Sequence, residues 1–410
     1  YPLKTMKILV LNAGSSSQKS CLYYIPEDNR SESVITLLWS GSIDWTKQQG
    51  MATIEVESNG VVLEETKETE DRLAVMERLL NTMCEGDNAV LESWDEIDFV
   101  GHRIVHGGSK YQQPTWITEE VKSAIAQLAS LAPNHNPANL QGINLIEKLL
   151  PKTSQVAVFD TAFHSKLPTA AAIYPLPYHW YEQGIRRYGF HGISHQYCAE
   201  QTAKLLKQPL DELRLVTCHL GNGASLAAIK NGHSIDTTMG FTPLEGLMMG
   251  TRCGSIDPGI LIYLLREQEF TPDQVDEMLN KESGLKGISG MASDMRTITE
   301  AMQENNERAQ LAFDAYIHHL CRQIGAMAAS LEGLDALVFA AGVGENSAIV
   351  RQETCQRLEY LGVHLDLEKN QNSPKNEDIA TAESQVRVFV LHTDEDSAIA
   401  QSVWQLAQTN

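Results

Sequence analysis

Leu9-Val10-Leu11-Asn12-Ala13-Gly14-Ser15-Ser16-Ser17 near the amino terminus has a counterpart in Val216-Thr217-Cys218-His219-Leu220-Gly221-Asn222-Gly223-Ala224-Ser225. Each reads as a buried strand, a tight turn of Gly, Asn and Ser, and a second apolar run. A third version, Ala336–Phe339 followed by Ala340-Ala341-Gly342-Val343-Gly344-Glu345-Asn346-Ser347, is expected to enter a helix from Ile349 onward. Small residues let backbone N–H groups come close to an anion, and Ser and Asn side chains add donors or metal-facing oxygens. An ordinary hairpin turn has the same composition. None of the three is a P-loop, because no Gly-Lys-Ser/Thr follows four spacer residues. The repeated form predicts two related halves facing across a cleft.

Working outward, short apolar runs at Ile8–Leu11, Phe99–Gly101, Val156–Phe159, Leu215–Cys218, Ala336–Phe339 and Val386–Leu391 read as buried strands. Between them, Val121, Ile125, Leu128 and Leu131 recur at helical spacing until Pro133. Phe313, Ile317, Leu320, Ile324, Met327 and Leu331 do the same over a longer stretch. Strands alternating with such helices indicate an α/β architecture. The chain has 410 residues, too many for one ordinary core. The acidic stretch Glu64–Asp71 reads as a solvated face. With 53 acids against 32 bases the net charge is −21, which argues against nucleic acid and anionic membranes as partners. Seven scattered cysteines without a CxxC pair fit reduced thiols, hence a cytoplasmic location. No apolar run is long enough to span a bilayer, and no signal peptide is expected.

Charged groups sit where glycines allow close approach. Gly101-His102-Arg103-Ile104-Val105-His106-Gly107-Gly108 puts an arginine between a strand end and a glycine turn. Met249-Gly250-Thr251-Arg252-Cys253-Gly254 puts another in a glycine-flanked loop. The planar guanidinium fork suits carboxylate or phosphate, although single arginines are most often solvated. Arg186-Arg187-Tyr188-Gly189-Phe190-His191-Gly192-Ile193-Ser194-His195 adds two histidines, for which core or capping roles are the common alternative. Asp160 falls at the carboxyl end of a buried strand, where open α/β sheets place ligand-binding groups; it would also suit a turn cap. Glu395 follows the last strand comparably, as a carboxylate suited to Mg²⁺.

The strings NAGSSS (12–17), GHRIVHGG (101–108), FDTAFH (159–164), RRYGFHGISH (186–195), HLGNGAS (219–225), GFTPLEGLMMGTR (240–252) and GVGEN (342–346) together resemble the acetate kinase family, in order and over essentially the whole chain. The resemblance implies the superfamily of sugar kinases, Hsp70 ATPase domains and actin. That fold has two duplicated actin-like, ribonuclease-H-like α/β domains with the nucleotide cleft between them. It also implies site residues: Asn12 and Glu395 for Mg²⁺ (with Mn²⁺ as a substitute), and Lys19 for the nucleotide. Arg103 would hold the acetate carboxylate, Asp160 is the active-site aspartate, and His191 and Arg252 stabilise the phosphoryl group in transit. His135 matches a further active-site histidine. His219, Leu220, Gly221, Asn222, Gly223, Asp294, Met295, Arg296, Gly342, Val343, Gly344, Glu345 and Asn346 match phosphate and adenosine contacts. Val105, Phe190 and Pro243 match the pocket for the methyl group. Three positions depart from the pattern: Asn134 where leucine is usual beside that pocket, Ser255 for aspartate, and Asp396 for glutamate.

The expected domains are residues 1–160 with 396–410, and 161–395. The expected reaction is reversible, direct in-line transfer between ATP and acetate, giving acetyl phosphate and ADP. Acetate is already ionised near neutral pH, so Asp160 has no proton to remove and is expected to orient an arginine or a metal-bound water. A homodimer is implied by the resemblance. Propionate or butyrate kinases share these motifs, and the same fold also builds nucleotide-gated filaments and chaperones.

Overall fold

A computed structural model of the chain describes residues 5–14, 16–26, 35–48, 50–68, 71–133, 135–372 and 374–409. The chain forms two compact units, Tyr1–Ala162 with Asp394–Asn410, and Phe163–Thr393.

The first unit holds strands β1 (Met6–Ala13), β2 (Ser17–Ile25), β3 (Thr36–Gln48), β4 (Met51–Ser58), β5 (Val61–Glu68), β6 (Phe99–Ile104), β7 (Thr115–Trp116) and β8 (Ser154–Phe159). They form one sheet in the order β5-β4-β3-β2-β1-β6-β8-β7. β1 pairs antiparallel with β2 and parallel with β6, and β6 runs parallel to β8. Ile8 through Leu11 are fully buried, which explains an unbroken apolar run rather than an alternating one. Leu9 and Leu11 join Leu22, Trp39, Ile54 and Leu79 in one core. Helix Glu395–Gln408 packs on β1 and β6. It lies so close that a Cβ at Gly101 would come within 2.8 Å of Val403 and 2.9 Å of Ile399. The acidic stretch forms the mostly exposed strand β5 and, at Asp71, the N-cap of helix Arg72–Asn81, with residues 69 and 70 outside the described set.

The second unit holds β9 (Leu215–Leu220), β10 (Ala224–Lys230), β11 (His233–Thr237), β12 (Ala336–Ala340), β13 (Glu377–Asp378) and β14 (Arg387–Val390), in the order β11-β10-β9-β12-β14-β13. β9 pairs antiparallel with β10 and parallel with β12, which is parallel to β14. Thus β3-β2-β1-β6-β8 and β11-β10-β9-β12-β14 share strand order and the same change of direction, the duplicated actin-like arrangement. The helical periodicity of 313–331 belongs to helix Glu307–Leu331, capped by Asn306, whose side chain accepts from Ala309 N at 2.9 Å. Among the described residues no helix is long and apolar enough to cross a membrane.

Two local expectations change. β6 continues to Ile104, so Arg103 is a strand residue, held by pairing with Val158 of β8 rather than by a turn. The glycines after β12 do not delay helix formation to Ile349. Ala341–Asn346 is already a short helix, and Ala348–Arg357 follows it. The physical reason is the buried Arg351 guanidinium, which donates to the carbonyls of Gly344 and Glu345 at 2.9 and 2.7 Å and so satisfies the end of that helix.

His102, one residue before Arg103, is 2% exposed and lies 2.7 Å from Gln155 Oε1 on β8. Burial pushes its imidazole down to about 4, with the Gln155 contact opposing. Its folded value is therefore below the unfolded value of about 6.5, so the unfolded chain binds the proton first. Stability carried by neutral His102 is complete above pH ~6.5 and is lost as pH falls towards 4, by up to about 3 kcal/mol. Urea unfolding of the first unit between pH 7 and 4 should show this loss, and His102→Leu should flatten it. An unchanged slope in that variant would assign the loss to other groups.

Candidate active site

At the carboxyl ends of β1, β6 and β8 in the first unit, Asn12, Arg103 and Asp160 converge, with Glu395 from the start of the last helix. Arg103 donates from Nη2 to Asp160 Oδ2 at 2.5 Å and from Nη1 to Asn12 Oδ1 at 3.4 Å. Its Nε lies 3.7 Å from Glu395 Oε2. Burial works against the Arg103 charge, but Asp160 and then Glu395 outweigh it and hold the group above its ordinary value. Burial also raises the Glu395 carboxyl, against the attraction of Arg103. Asp160 Oδ1, in a side chain 1% exposed, has no hydrogen-bond partner among the described residues. A buried carboxylate oxygen without a donor is costly, so this atom is suited to receive a group from a ligand or a metal-bound water. Among the described residues no three His, Cys, Asp or Glu side chains form a metal cage. Mg²⁺ needs none, since it is commonly bound through one or two carboxylates, water and substrate phosphates. Glu395 and the Asn12 amide oxygen are hard donors that fit it.

Lys19, opposite Asn12 on β2, pairs with Asp396 at 2.6 Å. Tyr23 donates to Asp394 at 3.3 Å. The acidic run 394–396 is thereby tied to β2, and Asp394 also caps the last helix through Ser397 N. His135, half-buried, stands at the N-cap position of helix Asn136–Leu149, and Val105 is 7% exposed. The sequence reading missed Asn136 and Asn139. Asn139 accepts from Val105 N at 3.1 Å and donates to Ala13 O at 2.7 Å, while Asn136 accepts from His106 N at 3.1 Å. Their amides fix the loops after β1 and β6. Asn134 lies outside the described residues.

In the second unit His191 precedes helix Gly192–Leu206 in the left-handed region, at φ 55° and ψ 26°, which is uncommon for a residue with a side chain. Its ring stacks on His219 with centroids 4.1 Å apart, and its Nδ1 is 2.9 Å from Ser225 Oγ. Phe190, beside it, is 1% exposed. Arg252 donates to Pro243 O at 2.9 Å, and a Cβ on Gly223 would sit 3.4 Å from its Nη1. Among the described residues Arg252 has no carboxylate partner, and burial alone holds its guanidinium below the ordinary value. The two arginines therefore differ in kind. Arg103 is neutralised by the protein, whereas Arg252 is a desolvated cation without a counter-ion.

A cavity of about 430 Å³ opens in the same unit. Of the expected nucleotide contacts, Gly221, Asn222, Asp294, Met295, Arg296, Gly342, Val343 and Asn346 line it. His219, Leu220, Gly223, Gly344 and Glu345 do not. Leu220 is wholly buried in β9, and Glu345 is engaged by His392 Nδ1 at 2.7 Å. Asp294 caps helix Met295–Gln303 by accepting from Thr297 N, which holds its carboxyl below the usual value. Arg296 extends along the surface to Glu300. Ser293, Thr299, Tyr316 and Ser347 also line the cavity and were not singled out from sequence. Tyr316 and Thr299 sit on helices whose register alone gave no sign of a ligand.

A family model described as the acetokinase family matches residues 7–401. An acetate kinase of Nostoc punctiforme is 60% identical over 402 residues, covering 98% of this chain and 99% of the relative. One from Rippkaea orientalis is 58% identical over 396 residues, covering 97% and 98%. Among solved structures, Porphyromonas gingivalis acetate kinase superposes with a TM-score of 0.89 at 40% identity, covering 98% of this chain and 100% of that one. A propionate kinase from Francisella tularensis gives 0.88 at 36% identity, covering 97% and 98%. The shared strand order, the arginine-centred site and these matches along nearly the full length lead to one conclusion: the chain belongs to the acetokinase family.

Proposed function

We propose that this chain is an acetate kinase, transferring a phosphoryl group reversibly between ATP and acetate. The observation that carries the proposal is Arg252, a half-buried, desolvated cation with no carboxylate partner among the described residues, in the unit whose cavity is lined by Gly221, Asn222 and Gly342. A volume of about 430 Å³, lined by apolar side chains such as Leu285, Met295 and Val343 together with polar ones, suits a nucleoside, and the small residues let backbone N–H groups reach phosphates. Acetate is read as the acceptor because relatives named acetate kinase are 58–60% identical over nearly the full length.

The roles are those that the family resemblance implies, and the charges of the site support them. Arg103, held by Asp160, presents its fork to the acetate carboxylate, while Val105, Phe190 and Pro243 meet the methyl group. An acetate oxygen attacks the γ-phosphorus, the bond from that phosphorus to the β–γ bridging oxygen breaks, and ADP leaves. The transition state spreads negative charge over the equatorial oxygens, and Arg252 and His191 offset it. Asp160 needs no proton from the already ionised acetate and serves to orient Arg103. His135 is a further active-site histidine by the same resemblance. Glu395 and Asn12 would hold Mg²⁺ or Mn²⁺, which supplies charge neutralisation on the phosphates. Lys19 would offer a further positive group to the nucleotide. Cytoplasmic residence is supported by seven free cysteines. A homodimer is supported by helix Pro258–Glu267, which buries none of its own residues and leaves Ile260, Ile262, Tyr263 and Leu265 41–55% exposed.

Acetyl phosphate formation, measured as the hydroxamate, should require Mg²⁺ or Mn²⁺ and prefer ATP to pyrophosphate; full activity in EDTA would end the metal assignment. Arg252→Ala and Arg103→Ala should each lower kcat/KM by roughly 10²–10⁵-fold. Arg103→Ala should also raise the KM for acetate. Near wild-type turnover with an unchanged KM would show the role to be wrong. Light scattering should find a dimer that Ile262→Asp converts to monomer, and a monomeric parent protein would refute the assigned interface.

A further inference from the structure

His191 is one end of a buried hydrogen-bond chain that the roles above do not use. Thr217 Oγ1 lies 2.7 Å from His195 Nδ1, and His195 Nε2 lies 2.8 Å from Ser225 Oγ. Ser225 Oγ in turn lies 2.9 Å from His191 Nδ1. Thr217 on β9, Ser225 on β10 and His195 are each no more than 1% exposed. His195 follows His191 by one turn of the same helix, so helix Gly192–Leu206 places both rings against the sheet.

Counting hydrogens fixes the direction of this chain. His195 is neutral, because burial, and then the neighbouring His164 and His219, push its imidazole well below the ordinary value. It therefore has one N–H and one lone pair. If its hydrogen were on Nδ1, Thr217 would accept it, and the threonine hydrogen would be left without an acceptor, since Thr217 has no other hydrogen-bond partner among the described residues. With the hydrogen on Nε2, every buried hydrogen is used. Thr217 O–H donates to His195 Nδ1, His195 Nε2–H donates to Ser225 Oγ, and Ser225 O–H donates to His191 Nδ1. Buried polar hydrogens are rarely left unpaired, so the second arrangement wins.

We propose that Thr217, His195 and Ser225 are positioning residues that hold His191 as the neutral Nε2–H tautomer, so that it meets a phosphoryl oxygen as a hydrogen-bond donor without carrying a positive charge. The use of that donor rests on the reading of the chain as an acetate kinase; the tautomer does not. The stack on His219, itself held by Ser194 Oγ at 2.7 Å from Nδ1, keeps the His191 ring plane fixed while the hydroxyl fixes its hydrogen.

The test is a two-bond ¹H–¹⁵N correlation spectrum of the full chain labelled at histidine, without ligand, at pH 8. The His191 signal is identified by its loss in His191→Asn. The expected result is a protonated Nε2 and a bare Nδ1. Thr217→Val should mix the tautomers and lower kcat by about 2- to 10-fold, the worth of one hydrogen bond, with KM for acetate and ATP unchanged. Thr217→Ser should restore both. A His191 that carries its hydrogen on Nδ1 in the parent protein overturns the proposal without any variant. So does a Thr217→Val or Ser225→Ala protein with an unaltered spectrum and kcat. The expected tautomer in a protein that makes no acetyl phosphate would instead refute the reaction and leave the hydrogen-bond assignment standing.

Discussion

The change from antiparallel to parallel pairing at the central strand of each sheet is the constraint from which the rest follows. β1 and β9 each have an antiparallel neighbour on one side and a parallel neighbour on the other. The hairpin closes one side of the strand's carboxyl end. On the other side the chain must leave the sheet and return by a long crossover, so that end cannot be covered by a local turn. Backbone N–H groups and short side chains are exposed there by topology, which is why open α/β sheets bind ligands at such points. Asn12 and Gly14 occupy this position in the first unit, Gly221 and Asn222 in the second.

What the two units place at these points differs in electrostatics. The first brings two carboxylates to Arg103 and ties Asp396 to Lys19, so its positive charge is internally compensated. A guanidinium clamped at Nη2 loses little freedom on meeting a carboxylate, which favours precise placement over strong attraction. The second unit keeps Arg252 desolvated, with no carboxylate partner among the described residues, and a buried charge left so is costly in folding. Orientation on one side and charge compensation on the other are the two demands of phosphoryl transfer.

The histidines of the second unit show how a polar interior can stay uncharged. His164 is held between Ser234 Oγ at 2.7 Å and Phe190 O at 3.0 Å, and His195 between Thr217 and Ser225. Hydroxyls donate or accept as required, so His195 is satisfied at both ring nitrogens without a charge that burial would penalise. Fully satisfied networks of this kind fix rotamers, and the strained backbone of His191 is held by the helix that follows it.

The sequence by itself determined the strands, the long helices and the repeated architecture. Buried parallel strands must be apolar on both faces, and Ile8–Leu11 and Ala336–Phe339 could be little else. It also singled out Arg103, Asp160, His191 and Arg252, through motif strings shared with the acetate kinase family, since each residue type alone has common structural uses. Tertiary structure alone decided the remainder. That Arg103 is paired and Arg252 is not depends on carboxylates distant in sequence. That Ala341–Asn346 is helical depends on a buried guanidinium from Arg351. Thr299 and Tyr316 reach the cavity through helix packing, which leaves no local pattern. Asn136 and Asn139 matter through backbone groups of other segments, and a side chain's partners in space are not encoded in its neighbours along the chain.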